Sequence, residues 1–296
     1  MLRKVVLAAI AIVVIGLATF WYLTIPVTVS VASLGPHTPD FANGKTMFAA
    51  GGCSSCHAVP LQDDGNRLGG GLGLVSKFGT FYVPNISSDE NDGIGGWSEA
   101  QFVTAVTKGT SPEGEHLFPA FPYTSFQRMS SNDVRDLFAY IKTLPPVAGK
   151  VREDGVPFPY NIRRMVGLWK LLYLDGALIK PDASKSAEWN RGAYLVEGPA
   201  HCAECHSSRN GLGAINAGRR FAGNPNAYGK LGFPDITQGK LNKWSEADFV
   251  ELLTTGFTGD GDRVGGPMVE VVHNTAQLSA KDRAAMAVYL KSLPPR

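Results

Sequence analysis

Two pentapeptides of one form, Cys53-Ser54-Ser55-Cys56-His57 and Cys202-Ala203-Glu204-Cys205-His206, use all four cysteines of a 296-residue chain. C-x-x-C-H is the spacing of covalent c-type haem attachment. Two thiols one helical turn apart can each close a thioether onto a haem vinyl group. The next residue, His, then lies under the ring and binds the iron from the proximal side. A thioredoxin-like dithiol needs no His after its second Cys. A zinc site gives no reason for such a repeat in a secreted chain, and loops this small are poor disulfide staples. The reading is two covalently attached haem c groups, held by Cys53, Cys56, Cys202 and Cys205, with His57 and His206 as iron ligands.

The motifs belong to a longer duplication. His57 maps to His206, Tyr140 to Tyr289 and Pro145-Pro146 to Pro294-Pro295, all at an offset of 149. Trp97-Ser98-Glu99-Ala100 maps to Trp244-Ser245-Glu246-Ala247 at 147, and Pro84-Asn85-Ile86 matches Pro234-Asp235-Ile236 at 150. The offset shifts only between these anchors, so insertions fall in loops. Each half predicts three helices. One precedes the haem motif, near Phe41–Ala50 and Glu188–Val196. The second opens at Ser98 or Ser245, with a capping-box partner at Gln101 or Asp248, and closes at Gly109 or Gly256. The third opens at Ser130 or Ser279 and ends at Leu-Pro-Pro; Val134, Leu137, Phe138 and Ile141 give it a core-facing stripe. The Gly-rich stretch from Gly65 to Gly79 reads as a loop around the first haem, where glycine allows close backbone approach. A covalent haem in each half supplies apolar volume that three helices alone would lack.

The expected organisation is mainly α. Residues 1–32 are a membrane anchor or signal segment, 38–147 a first haem domain, 148–186 a linker with a short helix, and 187–296 a second haem domain. In the linker, Arg163 and Arg164 either contact haem propionates or lie on a solvated face.

Arg3 and Lys4 precede an uncharged run from Val5 to Leu23. Its 19 residues extend about 28 Å as a helix, close to the ~30 Å of a hydrocarbon core. Trp21 and Tyr22 end it where interfacial aromatics belong, and the charge asymmetry leaves the N-terminus in the cytoplasm. A cleaved signal usually has a shorter apolar core of ~7–15 residues, although Ser30-Val31-Ala32 would serve as a cleavage site. The expectation is a single uncleaved anchor in the cytoplasmic membrane with both haem domains in the periplasm.

A low-spin carrier needs a sixth iron ligand, usually a Met thioether. Met268, in Gly265-Gly266-Pro267-Met268, fits this for the second haem, while Met286 faces the core of its helix. In the first half Phe121 stands about where Met268 stands. Three possibilities remain there. Met129 ligates, although its repeat partner Leu278 suggests packing; or His116 ligates; or the iron is open. Met47 precedes the haem motif and reads as core.

On these residues the chain resembles the membrane-associated di- and tri-haem cytochrome c subunits of periplasmic alcohol, aldehyde and gluconate dehydrogenases. The motifs are the two C-x-x-C-H sites, the loop Leu117–Tyr123, Pro159-Tyr160-Asn161-Ile162-Arg163 and Met268-Val269-Glu270-Val271-Val272. The resemblance implies two tandem cytochrome c-like domains. It also favours Met129 over His116, because relatives with Phe in the loop often carry a Met there. The chain departs from its relatives in having two haems where the subunits typically have three, and in Phe121 where they typically have Met.

Net charge is +2, from 28 basic and 26 acidic residues, so no basic excess marks a nucleic-acid partner. No G-x-G-x-x-G or G-x-x-x-x-G-K-[ST] register occurs, which argues against a nucleotide loop. The function expected is non-enzymatic electron carriage. The donor would be a periplasmic or membrane dehydrogenase, and the acceptor a terminal oxidase, a quinone or another cytochrome. The alternative is a dihaem peroxidase-like enzyme with an open first haem.

Overall fold

The structure, a computed structural model, describes residues 1–225, 227 and 232–296. Its longest element is α1 (Leu2–Leu23), which buries no residue against the rest of the protein and has a mean hydropathy of 2.5. Such a helix is long and apolar enough to be an anchor or a signal segment.

The chain leaving α1 lies along the first half. Thr24 is only 1% exposed. Val29 N–H donates to Thr104 Oγ1 at 2.9 Å. After the short α2 (Val31–Leu34), Arg135 donates to the carbonyls of Leu34 and Gly35, both at 3.2 Å.

The first half then forms α3 (Phe41–Ala50), α4 (Cys53–His57), strands β1 (Gly73–Ser76) and β2 (Gly79–Tyr82), α5 (Glu99–Lys108), α6 (Tyr123–Phe126) and α7 (Ser131–Ile141). The linker carries α8 (Arg163–Tyr173). The second half has α9 (Ala187–Glu197), 3-10 turns at Cys202–Glu204 and Ala217–Arg219, α10 (Glu246–Thr255), α11 (Met268–Thr275) and α12 (Ala280–Lys291). The architecture is mainly helical.

The expected helices are in place, and their caps explain where they start. Ser98 and Ser245 accept from the Gln101 and Asp248 amides, and those side chains accept from the cap residues' own N–H. Gly109 and Gly256 end these helices in the left-handed region, at φ 58° and 82°, where a side chain would be strained. Ser130 and Ser279 cap α7 and α12 by accepting from Asp133 and Asp282 N–H.

In each half the helix before the haem motif crosses the last one almost backbone to backbone. A Cβ on Gly44 would fall on the Asp136 carbonyl and lie 2.8 Å from the Tyr140 Cβ. A Cβ on Gly192 would fall on the Ala285 carbonyl and lie 2.9 Å from the Tyr289 Cβ. Only glycine permits these crossings. Around the first, Phe48 meets Tyr140 edge-on at 5.4 Å, and Val134, Leu137, Phe138 and Ile141 fill the core beside Met47.

Three features differ from the three-helix expectation. The Gly65–Gly79 stretch is not all loop, because β1 and β2 form an antiparallel hairpin with Gly73 opposite Tyr82 and Ser76 opposite Gly79. Short helices α6 and α11 occupy the segments read as distal loops. Their Pro-led starts and lack of a long apolar period hide them from periodicity.

Candidate functional site

Both attachment turns start from a left-handed residue. Gly52 (φ 57°) precedes Cys53, and His201 (φ 40°) precedes Cys202. In each turn both cysteines are free. Burial pushes the Cys53 and Cys202 thiols up to about 12, as expected of sulfur in apolar walls, and the second thiol of each turn is near enough to help push the first up.

The histidines are held the same way in both halves. His57 Nδ1 bonds the Pro84 carbonyl at 2.9 Å. His206 Nδ1 bonds the Pro234 carbonyl at 2.8 Å. Carbonyls only accept, so each Nδ1 carries the proton and each Nε2 presents a lone pair. Neither Nε2 has a hydrogen-bond partner among the described residues. Burial holds the His57 imidazole down at about 4, more than the Pro84 bond raises it. The ring is therefore neutral, as an iron ligand must be.

A glycine makes each Pro carbonyl reachable. Gly70 (φ 69°) and Gly223 (φ 81°) donate their N–H groups to the His57 and His206 carbonyls. A Cβ on Gly70 would lie 2.5 Å from the Pro84 carbonyl carbon, and one on Gly223 would lie 3.1 Å from that of Pro234. The Pro-Asn-Ile and Pro-Asp-Ile matches signalled these loops as a repeat, but sequence reasoning missed their role as the brace behind the histidine.

These features fit a haem in each half: paired free thiols in apolar surroundings and a neutral imidazole with Nε2 bare. Among the described residues no three His, Cys, Asp or Glu side chains converge on one point.

The two attachment turns also meet each other's half. Thr124 and Ser125, on α6, donate to Glu204 Oε1 at 2.8 and 2.7 Å. Asn274, on α11, accepts from Ser54 Oγ at 3.1 Å and donates to Ser55 Oγ at 2.6 Å. Ser55 maps to Glu204 and Ser125 to Asn274, both at 149, so the two contacts are the same contact made twice. Phe126 stacks on His201 with centroids 5.4 Å apart. The Cys56 sulfur is close enough to push the Cys205 thiol further up, after burial and Glu204.

Of the expected sixth ligands, Met268 is half-buried as the first residue of α11. Met129 is 1% exposed and sits just before the α7 cap, where its N–H bonds the Phe126 carbonyl. Leu278 holds the same place before α12. His116 is buried and gives its Nε2 to the Thr24 carbonyl at 2.8 Å. Phe121 packs on Phe126, with ring centroids 5.5 Å apart. Arg163 pairs with Asp154 and Glu115, and Arg164 with Thr24 and Trp21.

Comparison with known proteins agrees with this geometry. The cytochrome c family model matches twice, over residues 41–145 and 189–294. A "Diheme cytochrome c-type" protein of Cereibacter sphaeroides is 44% identical over 99% of both chains. The fructose dehydrogenase cytochrome subunit of Gluconobacter japonicus is 36% identical over 88% of this chain, which spans 54% of it. The cytochrome c subunit of the quinone-dependent alcohol dehydrogenase of Gluconobacter oxydans is 33% identical over 93% of this chain, which spans 60% of that protein. With both haem sites built alike and the match running the full length of a dihaem relative, the chain belongs to the cytochrome c family, as a dihaem c-type cytochrome related to the cytochrome subunits of membrane dehydrogenases.

Proposed function

We propose that this cytochrome is a membrane-anchored relay in the periplasm. It takes electrons from a dehydrogenase and passes them to a terminal oxidase, a quinone or another cytochrome. The observation that carries the reading is the twofold contact between attachment turns, through Ser125–Glu204 and Asn274–Ser55. It brings the attachment turn of each half against the other half, so haems bound at the two turns would be neighbours, as a relay requires. Bound haem supplies the one-electron couple. The protein's residues fix the imidazoles, exclude water and set the local charge.

The tie between α1 and the first half supports a retained anchor. Thr24 is bonded by both His116 and Arg164, so cleavage after Ala32 would strip the buried His116 and the half-buried Arg164 of a partner. Met268 would supply the sixth ligand of the second iron. Met129 would do so for the first, as the one thioether between Lys108 and Ser130, with His116 already committed to Thr24. The packing of Met129 in the place of Leu278 favours a second reading, in which the first iron is open and binds small ligands.

The test is a redox titration followed by absorbance on protein purified from membranes, with N-terminal sequencing. Two reversible Fe(II)/Fe(III) couples and an intact N-terminus are expected. Failure of either haem to cycle overturns the relay, and a mature N-terminus at Ser33 in the soluble fraction overturns the anchor.

A further inference from the structure

Helix α8 has one face more than the protein covers. Val166, Gly167 and Lys170 are buried against the first half; Lys170 Nζ donates to the Gly109 carbonyl at 2.5 Å. On a 3.6-residue period, Met165, Leu168 and Leu172 point directly opposite, and Leu171 lies between them and the α1 side. Leu172 is 67% exposed, Leu171 58% and Met165 48%, and Leu168 is half-buried. Three exposed large apolar side chains and a fourth half-exposed on one arc of an 11-residue helix are more than scattered surface hydrophobics account for.

What lies beside that arc identifies what covers it. Arg164 donates from Nε to Thr24 Oγ1 at 2.8 Å and from Nη2 to the Trp21 carbonyl at 2.6 Å. Its guanidinium lies 4.2 Å from the Trp21 ring centroid. Gly167 lets the helix touch the chain just after α1, since a Cβ there would come within 2.7 Å of the Thr24 Cβ. The first turn of α8 is thus fixed to the last turn of the apolar span. A helix of 11 residues extends about 16 Å, so no part of its apolar arc lies much farther than that from the end of α1.

We infer that α8 lies in the outer interface of the bilayer, with Met165, Leu168, Leu171 and Leu172 in contact with lipid. The inference rests on the reading of α1 as a retained anchor. The occupant is lipid because α8 is fixed through Arg164 and Gly167 to the end of α1, which is itself unburied along its length, and because an amphipathic helix beside a span buries its apolar face at that boundary. The remaining side of α8 holds the second half: Trp169 Nε1 donates to the Leu212 carbonyl at 3.0 Å, and Asn210 donates to Tyr173 Oη at 3.1 Å. Seating α8 therefore orients both halves on the membrane, where a span alone would leave them tethered but free to swing.

Haem attachment consumes every native cysteine, so an introduced one is a unique labelling site. Leu172→Cys and Val13→Cys, each in the full-length holoprotein with reduced haems, are spin-labelled and placed in phosphatidylcholine liposomes with no other protein. Collision with oxygen and with a water-soluble nickel chelate is then measured. The expected result is that oxygen access exceeds chelate access at both positions. Chelate access dominating at Leu172 while Val13 remains in lipid overturns this inference and leaves the anchor standing. Chelate access at both positions overturns the anchor, and with it this inference. Dipolar broadening between Leu172 labels, or loss of access to both probes, shows a second copy covering the arc and also overturns it.

Discussion

Ser125 Oγ donates a 2.7 Å hydrogen bond to Glu204 Oε1, across from one half of the molecule into the haem-binding turn of the other. Burial pushes the Glu204 carboxyl up, but Arg209, at 2.6 Å, and the Ser125 and Thr124 hydroxyls outweigh it and hold the group below its ordinary range. The carboxylate is therefore charged beside the second haem, where negative charge favours Fe(III). Glu204→Gln should raise the potential of that haem by on the order of tens of millivolts in spectroelectrochemistry, with a smaller shift at the first haem, whose half bonds the same carboxylate. Glu204→Ala should also cost about 1–3 kcal/mol in thermal unfolding, because Arg209 and two hydroxyls lose their acceptor.

Thioether ligation gives ferric haem a weak near-infrared charge-transfer band. Met268→Ala should turn the second haem high-spin and lower its potential, because a neutral thioether favours Fe(II). Met129→Leu copies Leu278 at nearly constant volume and should cost under ~1.5 kcal/mol, while removing about half of the wild-type band and opening the first iron to cyanide. A band unchanged by Met129→Leu would leave that residue a packing group only.

Gly167→Ala tests whether the chain after α1 stays in place. The added methyl would lie 2.7 Å from the Thr24 Cβ and 2.8 Å from His116 Nε2. It should cost about 1–3 kcal/mol and leave residues 24–35 open to protease. Wild-type stability and an unchanged digestion pattern would mean that Thr24 is absent from the mature protein.

The two helix crossings should be equally intolerant. Gly44→Ala and Gly192→Ala each place a methyl on a facing carbonyl, at a cost of about 3 kcal/mol. Denaturation followed at the Soret band should show each substitution loosening its own half first.

Burial lowers Lys170 from 10.5 to about 7. Between those two values the unfolded chain binds a proton that the folded one does not, so stability rises with pH across that window. Below about 7 both forms are charged and the burial penalty is present in full. Lys170→Met should be more stable than the wild type at pH 7 and lose the upward slope between pH 7 and 10. Parallel curves for the two proteins would show that the ammonium is well accommodated by the Gly109 carbonyl.

The parts of this protein legible in its sequence are those set by short spacings. Cys53, Cys56 and His57 lie within one turn, Ser98 and Gln101 within one cap, and Val134 through Ile141 along one stripe. The hairpin at 73–82 escaped because its turn sits inside a Gly-rich run that reads as loop. The contacts of Glu204 with Ser125, and of Thr24 with Arg164, span 79 and 140 residues, and no local pattern encodes such pairs. Pro84 and Pro234 were visible as a repeat, but their backbone carbonyls act, and a carbonyl leaves no mark on residue type.

The repeated contact of Ser125 with Glu204 and of Asn274 with Ser55 has the form of a handshake between two identical subunits, each offering the same patch to the other. A few such hydrogen bonds would hold separate subunits together only at high concentration. Joined in one polypeptide, they meet at an effective concentration in the millimolar range, so the pair persists however dilute the protein becomes. Fusion also frees the two patches from having to match themselves. One side could keep neutral Ser55 while the other acquired an anionic Glu204, and identical copies could not hold that inequality between two haems.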